Sequence, residues 1–313
     1  MVTEHFIRDN VSYDDISDIA KKVLGKSRLK GYQTSLEAIN EITGGIRTGT
    51  LTILGGATGM GKSLFSLNLA VDLITTNVPV CYIDLENGAE ETLERVIRIK
   101  HNLTEQFFND ENNQTDLEYY FMRLINFYYF THESIYKVKG KNLLHKVLRV
   151  MERAAEKKDC KVFFIDPLQA LESDKADNYN EQGMIVKTMK EFAQKHDVAV
   201  ILNHHIRKST QSAGNFLTDI DESKEVKYRI PTLDDYKGSA KISDFATDCW
   251  AIVRKIANPD KVEKGMTLFR VLKSRRKSLG DVKLWLDVDT LKFYESTRAY
   301  DDPAYIRGDI KND

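Results

Sequence analysis

Two periods govern the apolar positions of this chain. Tyr13, Ile16, Ile19, Ala20, Val23 and Leu24 fall on one helical stripe, and Ser12 with Asp15 resembles a capping box, so Ser12 to Leu24 reads as a short amphipathic helix. A polar linker, Gly25 to Gly31, follows it. That helix can bury its stripe on its own domain or on a neighbouring subunit, and the pattern leaves both open. Further helical stretches are expected at Ser35 to Ile42, Ala89 to Lys100, Leu143 to Lys157 and Glu181 to Lys195, with broken helical pieces in the polar, aromatic run Asn102 to Phe121. Short β-forming runs alternate with them: from Leu51 into a glycine loop, then Val78 to Asp84, Asn126 to Phe130, Lys161 to Ile165 and Val198 to Leu202. Past the polar, patternless stretch Ser209 to Arg229 come only strands, at Cys249 to Val253, Thr267 to Leu272, Val282 to Leu286 and Leu291 to Tyr294. Strands alternating with helices, then strands alone, predict an α/β fold: a largely parallel twisted sheet with an antiparallel C-terminal extension. The expected organisation is a linker helix and linker over residues 1–30, one large domain over 31–298, and a polar tail over 299–313.

Composition narrows the setting. Forty-six basic and 47 acidic residues leave a net charge of −1, so any contact with nucleic acid must come from local clusters. Cys81, Cys160 and Cys249 lie far apart without CxxC or Cys/His spacing, which argues against a structural zinc and against a disulfide framework. No signal segment or membrane-length apolar run is apparent, and a soluble, cytoplasmic protein with no membrane partner is expected.

The candidate chemistry is concentrated in LTILGGATGMGKS, residues 51–63. A strand breaks into glycines and closes on Gly61-Lys62-Ser63 ahead of the helical run LFSLNLAVDLI. Gly56, Ala57, Thr58, Gly59, Met60, Gly61, Lys62 and Ser63 form the pattern of a phosphate-binding loop. In such a loop backbone N–H groups and a helix N-terminus hold phosphates, the lysine reaches the β/γ oxygens and the hydroxyl ligates Mg²⁺. Asp166, at the carboxyl end of the apolar run KVFFI, stands where an ATPase holds Mg²⁺ through water.

Six motifs in a fixed order carry a resemblance: TGGIRTGTLTILGGATGMGKS, CYIDLEN, KVFFIDPLQ, VILNHHIRK, KGSAKISDFATD and RVLKSRRKSLG. Together they resemble the RecA-like P-loop ATPase core of DnaB-type replicative ring helicases, including the phage primase-helicase and Twinkle-like branch, over roughly Gly31 to Glu295. The resemblance implies an ATP-dependent helicase that translocates 5′ to 3′ on single-stranded DNA. It also implies that ATP, or another nucleoside triphosphate, is hydrolysed with Mg²⁺ at the subunit interfaces of a homo-oligomeric ring, a hexamer in this family. By the same resemblance Glu86 is the base for the attacking water, as against a helix-start carboxylate that merely favours the dipole. His205 is the sensor of the γ-phosphate, with His204 the neighbouring alternative on the opposite face. Lys273 and Arg275 are the basic pair supplied to the adjacent subunit's nucleotide, with Arg276 the competing finger; two positions apart on a strand, the pair should share a face.

DNA contacts are implied for Glu172 to Asn180 and Ile206 to Tyr236, where Arg207, Lys208, Lys224, Lys227 and Arg229 supply cations for backbone tracking. Neither a helical N-terminal collar nor a primase segment is recognisable, so a stand-alone motor working with a separate primase, polymerase or loader is expected. The competing reading is a RecA/RadA- or KaiC-like ATPase that binds DNA or a partner without unwinding, or a slow nucleotide-gated scaffold.

Overall fold

The computed structural model describes residues 31–173, 178–206, 231–236, 240–254 and 264–295. The anticipated N-terminal helix, the tail and the loop cations from Arg207 to Arg229 lie outside the described residues. In chain order the elements are α1 (Glu37–Thr43), β1 (Thr50–Gly56), α2 (Lys62–Thr75), β2 (Val80–Asp84), α3 (Ala89–His101), α4 (Glu105–Asn109), α5 (Gln114–Met122), β3 (Phe127–Thr131), α6 (His132–Tyr136), α7 (Leu143–Lys158) and β4 (Val162–Asp166). There follow α8 (Asn178–Lys195), β5 (Ala199–His205), α9 (Ala240–Phe245), β6 (Asp248–Arg254), β7 (Met266–Ser274), β8 (Gly280–Asp287) and β9 (Lys292–Glu295), with short 3₁₀ turns at Glu111–Asn113, Leu168–Leu171 and Leu233–Tyr236.

The strands form one nine-stranded sheet in the order β3-β2-β4-β5-β1-β6-β7-β8-β9. From β3 to β6 every neighbouring pair is parallel. From β6 to β9 every pair is antiparallel. This is the expected parallel sheet with an antiparallel extension. The central strands are apolar on both faces because helices cover both, as a parallel sheet requires. Leu51, Ile53, Ile83, Phe163, Ile165, Val200 and Leu202 face one layer, where Val147 and Met151 of α7 and Ile185 and Met189 of α8 meet them. Their alternating neighbours Leu54, Tyr82, Phe164 and Ile201 face the other, against Ile39 of α1 and Phe65 and Leu69 of α2. Because β1 lies between β5 and β6, its carboxyl end opens where the crossovers diverge, which is the place an open α/β sheet reserves for ligands.

Two boundaries differ from expectation for a stated reason. β5 continues through Asn203, His204 and His205 although its apolar run ends at Leu202, because those polar side chains find partners: Ser66 donates to the Asn203 Oδ1 at 2.8 Å and Gln169 contacts His204 at 2.8 Å. β7 stops at Ser274, whose hydroxyl accepts the N–H groups of Arg276 at 3.3 Å and Lys277 at 3.1 Å and turns the chain.

Candidate functional site

The phosphate loop leaves β1 at Gly56 and enters α2 at Lys62. Gly59 at φ +81° and Gly61 at φ +90° hold left-handed backbone that an L side chain strains to adopt. At Gly55 and Gly56 close approach is the constraint: a Cβ on Gly55 would collide with the Tyr236 hydroxyl, and one on Gly56 would lie 2.9 Å from the Ile252 carbonyl. Lys62 is buried at 4% exposure, and its Nζ donates to the Ala57 carbonyl at 3.0 Å across the loop. Burial pulls its ammonium down to about 8, against the attraction of Asp166 and Glu86. A cation folded over its own loop, short of anionic partners, fits a triphosphate.

Asp166 ends β4 beside Asp84, which ends β2 in register with it. Its carboxyl is 1% exposed; Tyr82 Oη donates to Oδ2 at 3.2 Å, and the nearby polar groups of Ser63 and Asn203 favour the charged form. Burial nevertheless raises its pKa. Ser63, half-buried, and Asp166, buried, therefore form an oxygen pair beside the loop, suited to Mg²⁺ directly or through water. When bound, that ion would neutralise charge on the β/γ-phosphate oxygens.

Glu86 sits just past β2, and Asp84 fixes the turn that carries it. The Asp84 Oδ1 accepts the N–H groups of Glu86 at 3.1 Å and Asn87 at 2.9 Å, while Oδ2 accepts the Thr92 hydroxyl of α3 at 2.7 Å. The Glu86 Oε2 lies 3.5 Å from His205 Nε2, and the Thr58 hydroxyl lies 3.5 Å from His205 Nδ1, both at the outer limit of hydrogen bonding. His205 is held below its ordinary pKa by burial first and by the Lys62 charge second, so the imidazole is neutral and offers Nε2–H to the carboxylate. His204, one residue earlier, is 3% exposed and turns to Gln169 and Tyr236 instead. Glu86, His205, Thr58, Lys62, Ser63 and Asp166 thus meet at one end of the sheet.

Lys273 and Arg275 do not join them. Asp248 pairs with Thr52 on one side and Ser274 on the other, so Arg275 lies level with the start of β1. Five residues separate that level from Gly56, roughly 17 Å along a strand. Lys273 Nζ donates to the Ser243 and Ala246 carbonyls, and Arg275 Nη2 donates to the Asp244 carbonyl at 3.1 Å, so both cap the end of α9. Lys273 lies in β7 while Arg275 and Arg276 lie beyond it, and a register shift opposite Cys249/Trp250 interrupts the strand before Lys273. Arg275 thus lies past the strand end rather than on the strand, yet its side chain and that of Lys273 reach the same end of α9, so the two point to one side as expected.

Arg254, which sequence reasoning passed over, closes the other wall. Its Nη2 donates to the Gly59 carbonyl at 3.4 Å and its backbone N–H lies 3.4 Å from Met60 Sδ. Burial lowers its pKa. A cation directly after the apolar run Cys249 to Val253 mirrors Asp166 after KVFFI, and that was the available signal.

The family model for the AAA domain matches residues 22–211. The chain is 21% identical over 229 residues to the replicative DNA helicase DnaB of Treponema pallidum (strain Nichols), covering 70% of this chain and 50% of that protein. It is 22% identical over 305 residues to the replicative DNA helicase DnaC of Bacillus subtilis (strain 168), covering 95% of this chain and 63% of the relative. The chain therefore spans between half and two thirds of the length of these two relatives. Among solved structures, one isolated ATPase domain superposes with a TM-score of 0.70 at 18% identity, over 90% of this chain and 96% of that one. A DnaB-like replicative helicase solved in connection with its primase interactions gives the same TM-score and identity over 90% and 68%. At such identity the structural likeness carries the fold. With the family match spanning more than half the sequence, this chain belongs to the AAA domain family and has the RecA-like fold of DnaB-type ATPase domains.

Proposed function

We propose that the protein is the motor of a ring-forming replicative DNA helicase, hydrolysing ATP or another nucleoside triphosphate with Mg²⁺ while moving 5′ to 3′ on single-stranded DNA. One observation supports this reading beyond a generic ATPase: Glu86 and His205 stand beside the phosphate loop, while Lys273 and Arg275, read as the finger pair, stand toward the opposite end of the sheet. A second copy, placed head to tail, would supply Lys273 and Arg275 to that site. A closed ring follows if the rotation between copies closes, and the family resemblance favours six. A separate primase remains part of the proposal, on the strength of the resemblance and of the primase named with one structural neighbour, and a polymerase or loader on the resemblance alone.

Each residue then has a task. The loop backbone and Lys62 hold the phosphates, and Ser63 with Asp166 would hold Mg²⁺. Glu86, half exposed and facing the loop mouth, takes the proton of an in-line water. His205 registers the γ-phosphate through the contacts it shares with Glu86 and Thr58. Arg275, delivered from the neighbour, stabilises the charge of the transition state, an effect worth about 10³ to 10⁵ in rate where such fingers operate.

Forked-duplex unwinding tests the reading. The wild type should separate a fork bearing a 5′ single-stranded arm in an ATP- and Mg²⁺-dependent manner, and Lys62→Ala should abolish it. Strand separation that persists in Lys62→Ala, or ATP turnover without any unwinding, would reject the helicase.

A further inference from the structure

Gln169 follows β4 by three residues, in the 3₁₀ turn Leu168–Leu171, and its side chain reaches across to the end of β5. The ladder between those strands has its last pair at Ile165 and Leu202. Beyond it the Gln169 amide replaces a strand: Oε1 accepts the His205 backbone N–H at 3.1 Å, and Nε2 donates to the His205 carbonyl at 3.2 Å. The same Nε2 lies 2.8 Å from His204 Nδ1.

Valence makes this arrangement more specific than a set of distances. A backbone N–H can only donate, so the atom facing it must be the amide oxygen, and the NH₂ group is left with two protons for two acceptors. His204 Nδ1 must therefore be the unprotonated nitrogen, and the ring carries its proton on Nε2. The amide has no spare donor. One side chain thus fixes the main chain of His205, the tautomer of His204 and, through the latter, a ring contact of 5.9 Å to the buried Tyr236. Tyr236 closes the circuit, for its hydroxyl donates to the Trp250 carbonyl of β6 and lies against Gly55 of β1, directly before the phosphate loop.

We propose that Gln169 is a positioning residue that couples nucleotide state at His205 to the segment leaving β4, so that a shift of His205 toward or away from Glu86 is passed to residues 168–173 rather than absorbed locally. This rests on the function proposed above, together with the DNA contact that the resemblance implies for Glu172 to Asn180. Gln169 would touch neither nucleotide nor metal.

Two variants and two readouts test it. Gln169→Leu removes all three hydrogen bonds; Gln169→Glu keeps the oxygen for the His205 N–H and loses both donors. In Gln169→Leu, affinity for a fluorescent ATP analogue should change less than about threefold, while the stimulation of ATP turnover by oligo-dT should fall at least about tenfold. In ¹⁵N-resolved spectra of histidine-labelled full-length protein, His204 should show unprotonated Nδ1 in the wild type and protonated Nδ1 in Gln169→Glu. Stimulation that survives in Gln169→Leu, an equal loss of binding and turnover accompanied by a lower melting temperature, or a protonated Nδ1 in the wild type would each overturn the proposal. The tautomer needs no turnover to be measured, so a wild type that fails to hydrolyse ATP would reject the motor while leaving this geometry to be judged separately.

Discussion

Lys62 ties the charge of the site to pH. Its ammonium, held down to about 8 by burial, compares with 10.5 for an unburied lysine. Between those values the unfolded chain keeps a proton that the folded one has lost, so the contribution of Lys62 to stability rises with pH across that window and is smallest below about 8. Nucleotide binding has the opposite slope. Phosphate oxygens favour the charged lysine, so binding takes up a proton once the free protein has lost it, and affinity should fall as pH rises above about 8, by up to tenfold per unit. Titration with a fluorescent ATP analogue between pH 7 and 9.5 measures this. Lys62→Ala should bind weakly and without that slope; an unchanged slope in the variant would assign it to another group.

At this scale the sequence is legible only where chemistry is local. Gly56 to Ser63 announces itself because the loop, its glycines and its lysine are contiguous, and Asp166 because it ends an apolar run. Arg254 follows an apolar run as Asp166 does, but its partner is remote, Gly59 across 195 residues, and Gln169, which meets His205 across 36, carries no such signature. Asp84 was visible only as the residue that closed a strand. Its role in holding Glu86 becomes apparent once the turn brings two N–H groups onto one carboxylate oxygen.

At the level of elements, the antiparallel extension is more than an edge added to a nucleotide-binding sheet. Phe269 of β7 is fully buried, with its ring 5.5 Å from Phe65 of α2 and 5.4 Å from Trp250 of β6; Phe293 of β9 packs edge-on to Phe65 at 5.4 Å. Since α2 begins at Lys62, the extension braces the helix that presents Lys62 and Ser63 to the phosphates. Phe269→Ala should destabilise the protein by about 3–5 kcal/mol, transfer and cavity contributions together. Urea unfolding followed by tryptophan fluorescence would report a lower midpoint, and a midpoint within error of the wild type would show that α2 does not depend on β7. The strands of this layer were readable from their period, but their ends were not. β5 runs past its apolar stretch because polar side chains find partners, and β7 runs two residues past Leu272 to a turn set by the Ser274 hydroxyl, neither of which leaves a hydrophobic trace.

For the whole molecule the decisive fact is a local one: among the described residues, a cluster of cations stands at the end of the sheet away from the phosphate loop. Lys273, Arg275 and Arg276 surround Lys190, whose pKa burial lowers and these cations lower further, with Asp248 the opposing acid. At the other end Glu86 stands at the loop mouth and Glu90 and Glu91 occupy the first turn of α3. Attraction between that cation cluster and the carboxylates of Glu86, Glu90 and Glu91 on another copy would favour head-to-tail contact. Such a contact would place Arg275 of one copy against the phosphate loop of the next, a reach of roughly 17 Å that no arginine side chain covers within its own chain. Complementation between inactive parents tests this directly. Under the proposed shared site a Glu86→Gln subunit keeps its fingers and an Arg275→Ala subunit keeps its base, so neither parent alone would have a complete site. In a random one-to-one mixture about a quarter of interfaces join an intact Glu86 to an intact Arg275. ATP turnover should therefore reappear on mixing, rise with total protein as copies associate, and vanish when either parent carries both substitutions. Verified co-assembly without recovery, or wild-type turnover that is full and independent of concentration in isolated monomers, would leave Arg275 as a cap on α9 and nothing more.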